Sequence, residues 1–424
     1  MTGTCEYLPE MQRHFSYLLN IIRTTYASFG FQEIMTPSFE LKDILLSKEG
    51  GETEKQVYFI QSTGALEQNK APDAALKFDL TIPLARYVAE HERELAFPFK
   101  RYQIQPVFRG ERAQKGRYRE FYQCDIDVVG KETLSIQYDA EIPAIIYNIF
   151  SKLNLENFQI QINHRKLLKG IFNHFNIPSN LYEETLRTID KCDKIGIEKT
   201  VETLETLIPK NDVKGLIKLL TYEGSIESTL TFLSNLDITN SDFKAGLDDL
   251  KTIFEHLKNM KIPETALKLN LLIARGLDYY TGAVFETILT DHPNIGSICS
   301  GGRYDNLASK FTKSNLPGVG ISIGLTRLFY QLQEMDFFKT LPQTEKYLIL
   351  NEEGTDPKTL YDMAIKLRAE NKIVDIYFEQ AKLKKQFKYA SDKAFSHVIF
   401  KDHAQDQFLI KNMITGKQIP CFNR

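Results

Sequence analysis

The sequence predicts an α+β fold: an antiparallel-sheet core interrupted by a helical module, then a smaller α/β domain. Three observations carry this reading. Two alternating apolar–polar runs, 101–108 and 121–129, flank a charged linker; residues of about 165–262 keep helical spacing with few strand signals; beyond 341, strand-like and helix-like segments alternate. The implied division is a discontinuous core of 1–164 and 263–330, a helical insertion of 165–262 and a last domain of 341–424. A chain of 424 residues has room for about two to four domains.

Taken in order, residues 9–29 place Phe15, Leu18, Leu19, Ile22 and Tyr26 at helical spacing, and Gly30 is a suitable stop. FQEIMTPSFE follows as an extended segment in which Pro37, lacking an N–H, marks a sheet edge or a bend. RYQIQPVF and FYQCDIDVV then read as an antiparallel hairpin whose long, mobile tip is RGERAQKGRYRE. Residues 134–153 are the next helix. After the helical module, β-like runs return as LKLNLLIA, GAVFETIL and GVGISIGL. The tail runs KYLIL, a helix over 357–370, KIVDIYF, a helix over 382–395 and HVIF, an order that argues for a partly parallel sheet.

Composition narrows the function classes. Lys plus Arg is 53 and Asp plus Glu is 55, a formal charge of −2, so nucleic acid can be bound only through a local basic patch. At 42% hydrophobic and 25% charged, the chain has the composition of a folded globular protein. Its five cysteines lie far apart with no C-x-x-C pair, as suits reduced thiols in a cytosol, and its eight histidines show no metal spacing. There is no signal-like h-region and no apolar run of about 18 residues, so the expectation is a soluble, cytoplasmic protein with no membrane span and no metal site of its own.

Chemistry concentrates in three places. Between Lys100 and Glu120 stand seven basic residues and two acidic ones, mostly arginines at or beside strand ends, and guanidinium forks at fixed positions suit bidentate phosphate recognition. ARGLDYYTG, 274–282, aims a cation and two tyrosine hydroxyls at one place, although Arg275 paired with Asp278 explains that segment equally well. SGGRYDNL and GVGISIGLTR combine glycines, which permit close backbone approach to a ligand, with a final Arg327. Neither G-x-G-x-x-G nor the P-loop pattern is present, which removes support for those two nucleotide folds.

Together, TPSFE after a long helix, FRGERAQKGRYREFYQCDIDVVG, RGLDYYTGAVFE, GGRYDNL and GVGISIGLTR resemble the successive motifs of the histidyl-tRNA synthetases, over residues of about 3–327. The resemblance implies a class II synthetase core, dimeric through the region 9–40, with a C-terminal anticodon-binding domain. It implies ATP with Mg²⁺ held by the substrate, L-histidine and histidine tRNA as partners, and a two-step reaction through histidyl-adenylate.

By the same resemblance, Arg109 is similar to the arginine on the α-phosphate and belongs with the catalytic and histidine-binding residues, Glu111 is similar to the acceptor of the adenine amino group, Arg117 to the γ-phosphate ligand, and Arg275 to the arginine that contacts the substrate carboxylate and the α-phosphate. Phe121 and Arg327 would sandwich adenine. Asp79 and Thr81, with Gln123, would hold the α-amino group; Asp127 and Tyr280 would grip the imidazole nitrogens with Tyr279 packed nearby. Arg275 resembles the catalytic arginine. Gln114 and Arg119 would meet the tRNA acceptor end. The basic tail is expected to bind the anticodon stem-loop through Lys382, Lys384, Lys385 and Lys388, although a solvated helix face explains each lysine equally well. These roles make physical sense, because a carboxylate attacking a phosphate needs a cation between two anions. The sequence departs from the family's pattern at Thr326, where an acid is common, and at Ala113, where proline is usual.

Two alternatives compete. A regulatory subunit of ATP phosphoribosyltransferase would share the core and bind histidine, yet RGLDYYTG is kept and a basic tail is added. A degenerate nucleic-acid-binding module would have lost the substrate positions, which are all present.

Overall fold

The computed structural model describes residues 2–46, 56–273, 280–292, 296–306, 308–341 and 345–421. Among them, sixteen strands form three sheets. The main sheet is built of β1 (Gln32–Glu33), β5 (Phe99–Phe108), β6 (Glu120–Val129), β7 (Phe158–His164), β8 (Leu267–Leu269), β9 (Ala283–Leu289), β10 (Cys299–Tyr304) and β11 (Gly318–Gly324), in the spatial order β1-β5-β6-β11-β10-β9-β7-β8. A small antiparallel sheet holds β2 (Phe39–Leu41), β3 (Phe59–Ile60) and β4 (Ala74–Leu76). The third sheet comprises β12 (Lys346–Ile349), β13 (Ile373–Ile376), β14 (His397–Asp402), β15 (Gln407–Asn412) and β16 (Gln418–Pro420). The chain divides into two units, Met1–Asp336 and Phe337–Arg424.

In the first unit the alternating runs pair as one hairpin, from Phe99 opposite Val129 to Phe108 opposite Glu120. Pairing across β6, β11, β10, β9 and β7 is antiparallel throughout, and only the outermost strands β1 and β8 pair in parallel. Because side chains alternate across a strand, this register gives the sheet two unlike faces. One face carries Tyr102, Ile126, Ile321, Phe285 and Ile162 in a row, with Cys124, Ile323, Cys299 and Ile160 beside them, all buried. The other carries Arg101, Asp127, Gly320 and Gly302 in one row and Gln103, Asp125, Ser322, Ser300, Glu286 and Gln161 in the next.

Helices cover the apolar face. Helix Pro9–Ser28 starts with proline in its first turn, where the missing N–H costs nothing, and buries Phe15, Leu18, Ile22 and Tyr26. Gly30, at φ +81, follows its last turn. Helix Gln137–Lys152 buries Ile142, Ile145, Ile146, Ile149 and Phe150. Each such side chain contributes about 1.5–3 kcal/mol relative to exposure, so this face supplies the stability on which the polar face rests.

Residues 165–259 contain helices and no strand among the described residues. Helix Arg165–His174, which leaves the end of β7, crosses helix Ser241–Asn259, whose Asn240 accepts the Phe243 N–H at 3.1 Å. The crossing is close because glycines meet it from both sides. A Cβ on Gly170 would lie 2.5 Å from the Phe243 backbone, and one on Gly246 would lie 2.5 Å from the Leu167 nitrogen. His164 is fully buried at this junction; its Nδ1 accepts the Lys166 N–H at 3.2 Å, and its Nε2 lies 3.1 Å from Asp249.

In the second unit β13, β12 and β14 are parallel, and β14, β15 and β16 continue antiparallel. Helices Pro357–Ala369 and Leu383–Asp392 match the expected segments. Lys382, Lys384, Lys385 and Lys388 are exposed, whereas Gln386 between them is buried and ties its amide to the backbone of Asn351 and Ala381. The run LKLNLLIA, read as a strand, contributes only Leu267–Leu269; Asn270 then turns the chain, its side chain accepting the Leu272 N–H at 3.1 Å. No described helix is long and apolar enough to cross a membrane.

The crossing at Gly170 gives a first test. Gly170→Val forces two helix backbones apart and should cost about 1–3 kcal/mol, the usual penalty of overpacking. Gly64→Ala, with nothing within 4 Å of its Cβ, should leave the thermal midpoint unchanged.

Candidate active site

The polar face of the main sheet gathers charge under cover. Arg101 is fully buried and its Nη2 stands 2.6 Å from Asp127 Oδ2, directly across the β5–β6 ladder. Asp127 Oδ1 accepts the Tyr304 hydroxyl at 2.9 Å. One step along the strands, Gln103 donates to Thr36 Oγ1 at 2.8 Å, while Gln105 donates to the Thr36 carbonyl at 3.1 Å and accepts the Thr36 N–H at 3.2 Å. The buried Lys77 ammonium donates to the same carbonyl at 3.2 Å. These bonds lock the extended segment around Thr36 onto β5.

Asp79 follows β4 and precedes helix Thr81–Glu90, where its Oδ1 accepts the Ile82 N–H at 3.2 Å. Thr81 is the first residue of that helix. Gln123 donates to the Ser322 hydroxyl at 2.8 Å, and Ser322 is also hydrogen-bonded to Asp125. Three buried acceptor oxygens, Asp79 Oδ2, Gln123 Oε1 and Asp125 Oδ1, have no hydrogen-bond partner among the described residues. Buried polar atoms are normally paired, so this trio marks a place where a hydrogen-bond donor would be satisfied.

Electrostatics agree. Three buried carboxylates, Asp79, Asp125 and Asp127, face two buried cations, Lys77 and Arg101. Burial pushes the Asp79 carboxyl up to about 6, against the Ile82 N–H and the Arg109 charge, and pushes Asp127 up to about 7, against Arg101. Burial likewise raises Asp125 and lowers Lys77 to about 8. An added positive charge relieves the excess of acid.

Beside this acidic floor the sheet carries glycines against which side chains pack closely. A Cβ on Gly320 would sit 2.1 Å from Asp127 Oδ1, and one on Gly302 would sit 2.9 Å from the Tyr280 ring. Asp127, Gly320 and Gly302 are successive cross-strand partners. The structure therefore lays Asp127 over Gly320 and Tyr280 over Gly302, close approaches that only glycine permits. Arg275 and Tyr279 lie outside the described residues.

The hairpin tip forms an arginine-rich rim. Arg109 donates through Nε to the Phe78 carbonyl at 2.9 Å, and its guanidinium lies 5.1 Å from the centre of the Phe121 ring. Arg117 Nη1 stands 3.6 Å from Glu111 Oε2, so these two are neighbours. The tip closes on itself through Arg109 N–H to the Arg119 carbonyl at 2.8 Å and the bridge between Gln114 and Arg117. It is also held from outside: the Gly3 carbonyl accepts the Arg119 N–H at 2.6 Å, and the Arg119 Nε reaches the Glu111 carbonyl at 3.2 Å. Gly3 has φ +90, and a Cβ there would lie 2.9 Å from Arg119 Cγ.

Arg327 is in the first turn of helix Leu325–Glu334, which follows β11 directly; its Nη2 would lie 3.4 Å from a Cβ on Gly296. The preceding Thr326 is buried, and its hydroxyl accepts the Tyr122 N–H at 2.9 Å. A neutral acceptor thus ties the start of this helix to β6. Below it Tyr7, Phe15 and Phe329 pack with ring centroids 5.2–5.3 Å apart.

Sequence reasoning missed Lys77, Arg101, Asp125 and Tyr304 as members of the floor, and Gly3 and Tyr7 as supports of the rim. Alternation in RYQIQPVF and FYQCDIDVV was the available signal, since it sets 101, 103 and 105 on one side and 123, 125 and 127 on one side. Among the described residues no group of three or more His, Cys, Asp or Glu side chains is arranged to hold a metal ion.

Comparison with known proteins gives a consistent family. The family model described as Histidyl-tRNA synthetase matches residues 3–328. A histidine–tRNA ligase of Stenotrophomonas maltophilia is 47% identical over 433 aligned positions, covering 98% of this chain and 92% of that protein. The crystal structure of histidyl-tRNA synthetase from Nostoc sp. PCC 7120 superposes with a TM-score of 0.89 at 37% identity, covering 99% of this chain and 95% of that one. An ATP phosphoribosyltransferase regulatory subunit/histidyl-tRNA synthetase from Bacillus halodurans shares the fold, with a TM-score of 0.75 at 21% identity over 92% of this chain and 95% of that one.

Asp79 gives this site a pH signature. Its carboxyl is raised from an ordinary value near 4 to about 6, so protonation favours the fold. The contribution is therefore fully present below the ordinary value and is lost as pH rises through 6. Asp79→Asn removes the burden, and its stability relative to the parent should improve by about 1–2 kcal/mol between pH 5 and pH 8, read from urea midpoints. A difference that stays flat with pH would contradict an ionised Asp79 in this pocket.

Proposed function

The chain belongs to the histidyl-tRNA synthetase family, and we infer that it is an aminoacyl-tRNA ligase that activates L-histidine with ATP and transfers the histidyl group to histidine tRNA. The core is the class II α+β type, an antiparallel sheet with helices. The regulatory-subunit alternative has weaker support, because the relative bearing that title shares only the fold at 21% identity, against 47% for a ligase matched over nearly its whole length.

The observation that carries the reading at the level of residues is the trio of unpartnered buried oxygens next to an arginine rim. An amino acid is a zwitterion. Its ammonium satisfies Asp79 and Gln123, with Asp125 behind them and Thr81 at the helix start, while its carboxylate turns toward Arg109 and Arg275. The imidazole ring then extends over Gly320 and Gly302 between Asp127 and Tyr280, with Tyr279 alongside. A site that pairs both ring nitrogens rejects rings lacking one of them, since a buried partner left unsatisfied costs about 1–3 kcal/mol.

ATP binds along the rim. Arg109 takes the α-phosphate, Arg117 the γ-phosphate, Glu111 accepts from the adenine amino group, and adenine lies between Phe121 and Arg327. Arg117 and Glu111 face each other at 3.6 Å; ATP binding replaces that exposed contact with two stronger ones. Mg²⁺ would arrive with the nucleotide and offset the negative charge of its phosphates. Attack of the histidine carboxylate on the α-phosphorus forms histidyl-adenylate and releases pyrophosphate, and the 3′-terminal hydroxyl of the tRNA then displaces AMP. Arg275 offsets the negative charge gathered between two reacting anions.

Gln114 and Arg119 meet the acceptor end of the tRNA, and the second unit binds the anticodon stem-loop with the exposed lysines of helix Leu383–Asp392. The protein acts as a cytoplasmic homodimer joined through residues 9–40. Exposed Leu8, Met35 and Phe39 support this, being large apolar side chains that a partner would cover.

Histidine-dependent ATP–pyrophosphate exchange tests the activation step. The parent protein should support it, and Asp79→Ala should raise the KM for histidine at least about tenfold, equivalent to losing one charge-assisted hydrogen bond. Exchange that does not depend on histidine would reject the assignment. Removing residues after Leu341 should reduce tRNA charging far more than exchange; equal losses would count against anticodon binding by the second unit.

A further inference from the structure

The Arg101–Asp127 pair is poorly suited to a purely structural role. It lies on the polar face of the sheet, away from the apolar face that packs against the helices. Arg101 Nε and Nη2 have no hydrogen bond among the described residues although Nη2 is 2.6 Å from Asp127, and Nη1 reaches only Gln103 Oε1 at 3.4 Å. A buried ion pair with such incomplete hydrogen bonding adds little stability and is often replaced by apolar residues without loss. What the pair does accomplish is local. Asp127 is held on both oxygens, by Arg101 on Oδ2 and by the Tyr304 hydroxyl on Oδ1, which fixes the plane of its carboxylate beside the Gly320–Gly302 floor.

We propose that Arg101 is a positioning residue for amino-acid selection: its guanidinium keeps Asp127 ionised and oriented, so that Asp127 accepts the N–H of a neutral imidazole ring. This deepens the reading of Asp127 given above and rests on it. Protonated Asp127 would offer an O–H in place of a lone pair on the side facing the ring, and an imidazole N–H would then meet another donor.

The groups facing Asp127 explain why a cation is required. Asp125 stands two residues along β6, Asp79 enters from the segment before helix Thr81–Glu90, and Tyr304 and Tyr280 approach from β10 and its neighbour. Burial is the main cause that raises the Asp127 carboxyl, and the two acids among these groups raise it further; Arg101 and the Tyr304 hydrogen bond oppose them. Lys77 and Arg109 act mainly on Asp125 and Asp79. Among the described residues, Arg101 is the cation in contact with Asp127.

The test is histidine-dependent ATP–pyrophosphate exchange followed against pH, comparing the parent with Arg101→Met and Arg101→Lys. The acidic limb of kcat/KM for histidine should move to higher pH in Arg101→Met by about 1–3 units, the usual effect of an opposite charge at contact. The KM for histidine should rise while the KM for ATP changes less than twofold, and Arg101→Lys should bring the limb back toward the parent position. Free histidine titrates identically in every sample, so the difference reports the protein. Should Arg101→Met fail to fold, Tyr304→Phe decides: it removes the second hold on Asp127 and should shift the limb the same way by a smaller amount. A limb that stays in place in the folded variant, or equal rises in the KM for histidine and for ATP, would overturn the proposal. A parent protein without histidine-dependent exchange would overturn the functional assignment instead, so the two failures are distinguishable.

Discussion

Three acids and two bases are buried together, Arg101, Asp125 and Asp127 on one face of the main sheet and Lys77 and Asp79 from the segment after β4, and neutralisation between them is incomplete. That imbalance governs the rest of the molecule. Placing charge in a poorly polarisable interior is costly, so the opposite face must be apolar, continuous and well covered, as the rows through Ile126 and Cys124 are. The strand register converts this requirement into positions. Because neighbours in an antiparallel ladder share a face, Arg101 meets Asp127, Asp127 overlooks Gly320, and Gly320 adjoins Gly302 without any loop having to be shaped for the purpose. A charged floor held by a ladder is stiffer than one held by loops, which suits a pocket that must tell one small ring from another.

The rim follows a different logic. The arginine-rich hairpin tip takes its shape from main-chain bonds to Gly3 and from its own closure between Arg109 and Arg119. Thr326 and the aromatic group of Tyr7, Phe15 and Phe329 brace the neighbouring helix start. Arg109 and Arg117 stand on a supported loop, while Asp125 and Asp127 stand on a strand. A negative floor thus adjoins a positive edge.

Much of this was legible in the chain, and the exceptions have physical causes. Strong periodicity announced helix Pro9–Ser28, the β5–β6 hairpin and the alternating order of the second unit. The strand Cys299–Tyr304 was hidden because its glycines look like a ligand loop; they are needed where Gly301 passes 2.1 Å, at its would-be Cβ, from the Gly320 carbonyl. β15 and β16 were missed because their side chains are at best half-buried and carry no sharp alternation. At the site, Asp79, Gln123 and Asp127 came from motif resemblance, and the structure sets all three on or beside the polar face. Arg101 and Lys77 did not, since an ion pair across a ladder depends on register, and register is absent from any single segment. Arg275 and Tyr279 lie outside the described residues, so their roles rest on motif and chemistry.

The sheet also bears on how this architecture tolerates change. β7 ends at His164 and β8 begins at Leu267, yet the two strands lie side by side, with Ile160 opposite Leu267. A hundred residues therefore leave and rejoin the sheet at one margin, far from Arg101 in strand order. Their first and last long helices are clasped at Gly170 and Gly246, and the stretch between them is helical among the described residues. Such a side branch is an evolutionary free port: its contents can lengthen, shrink or be exchanged between lineages, provided the clasp and the paired margin survive, without a single chemical group at the centre being renegotiated.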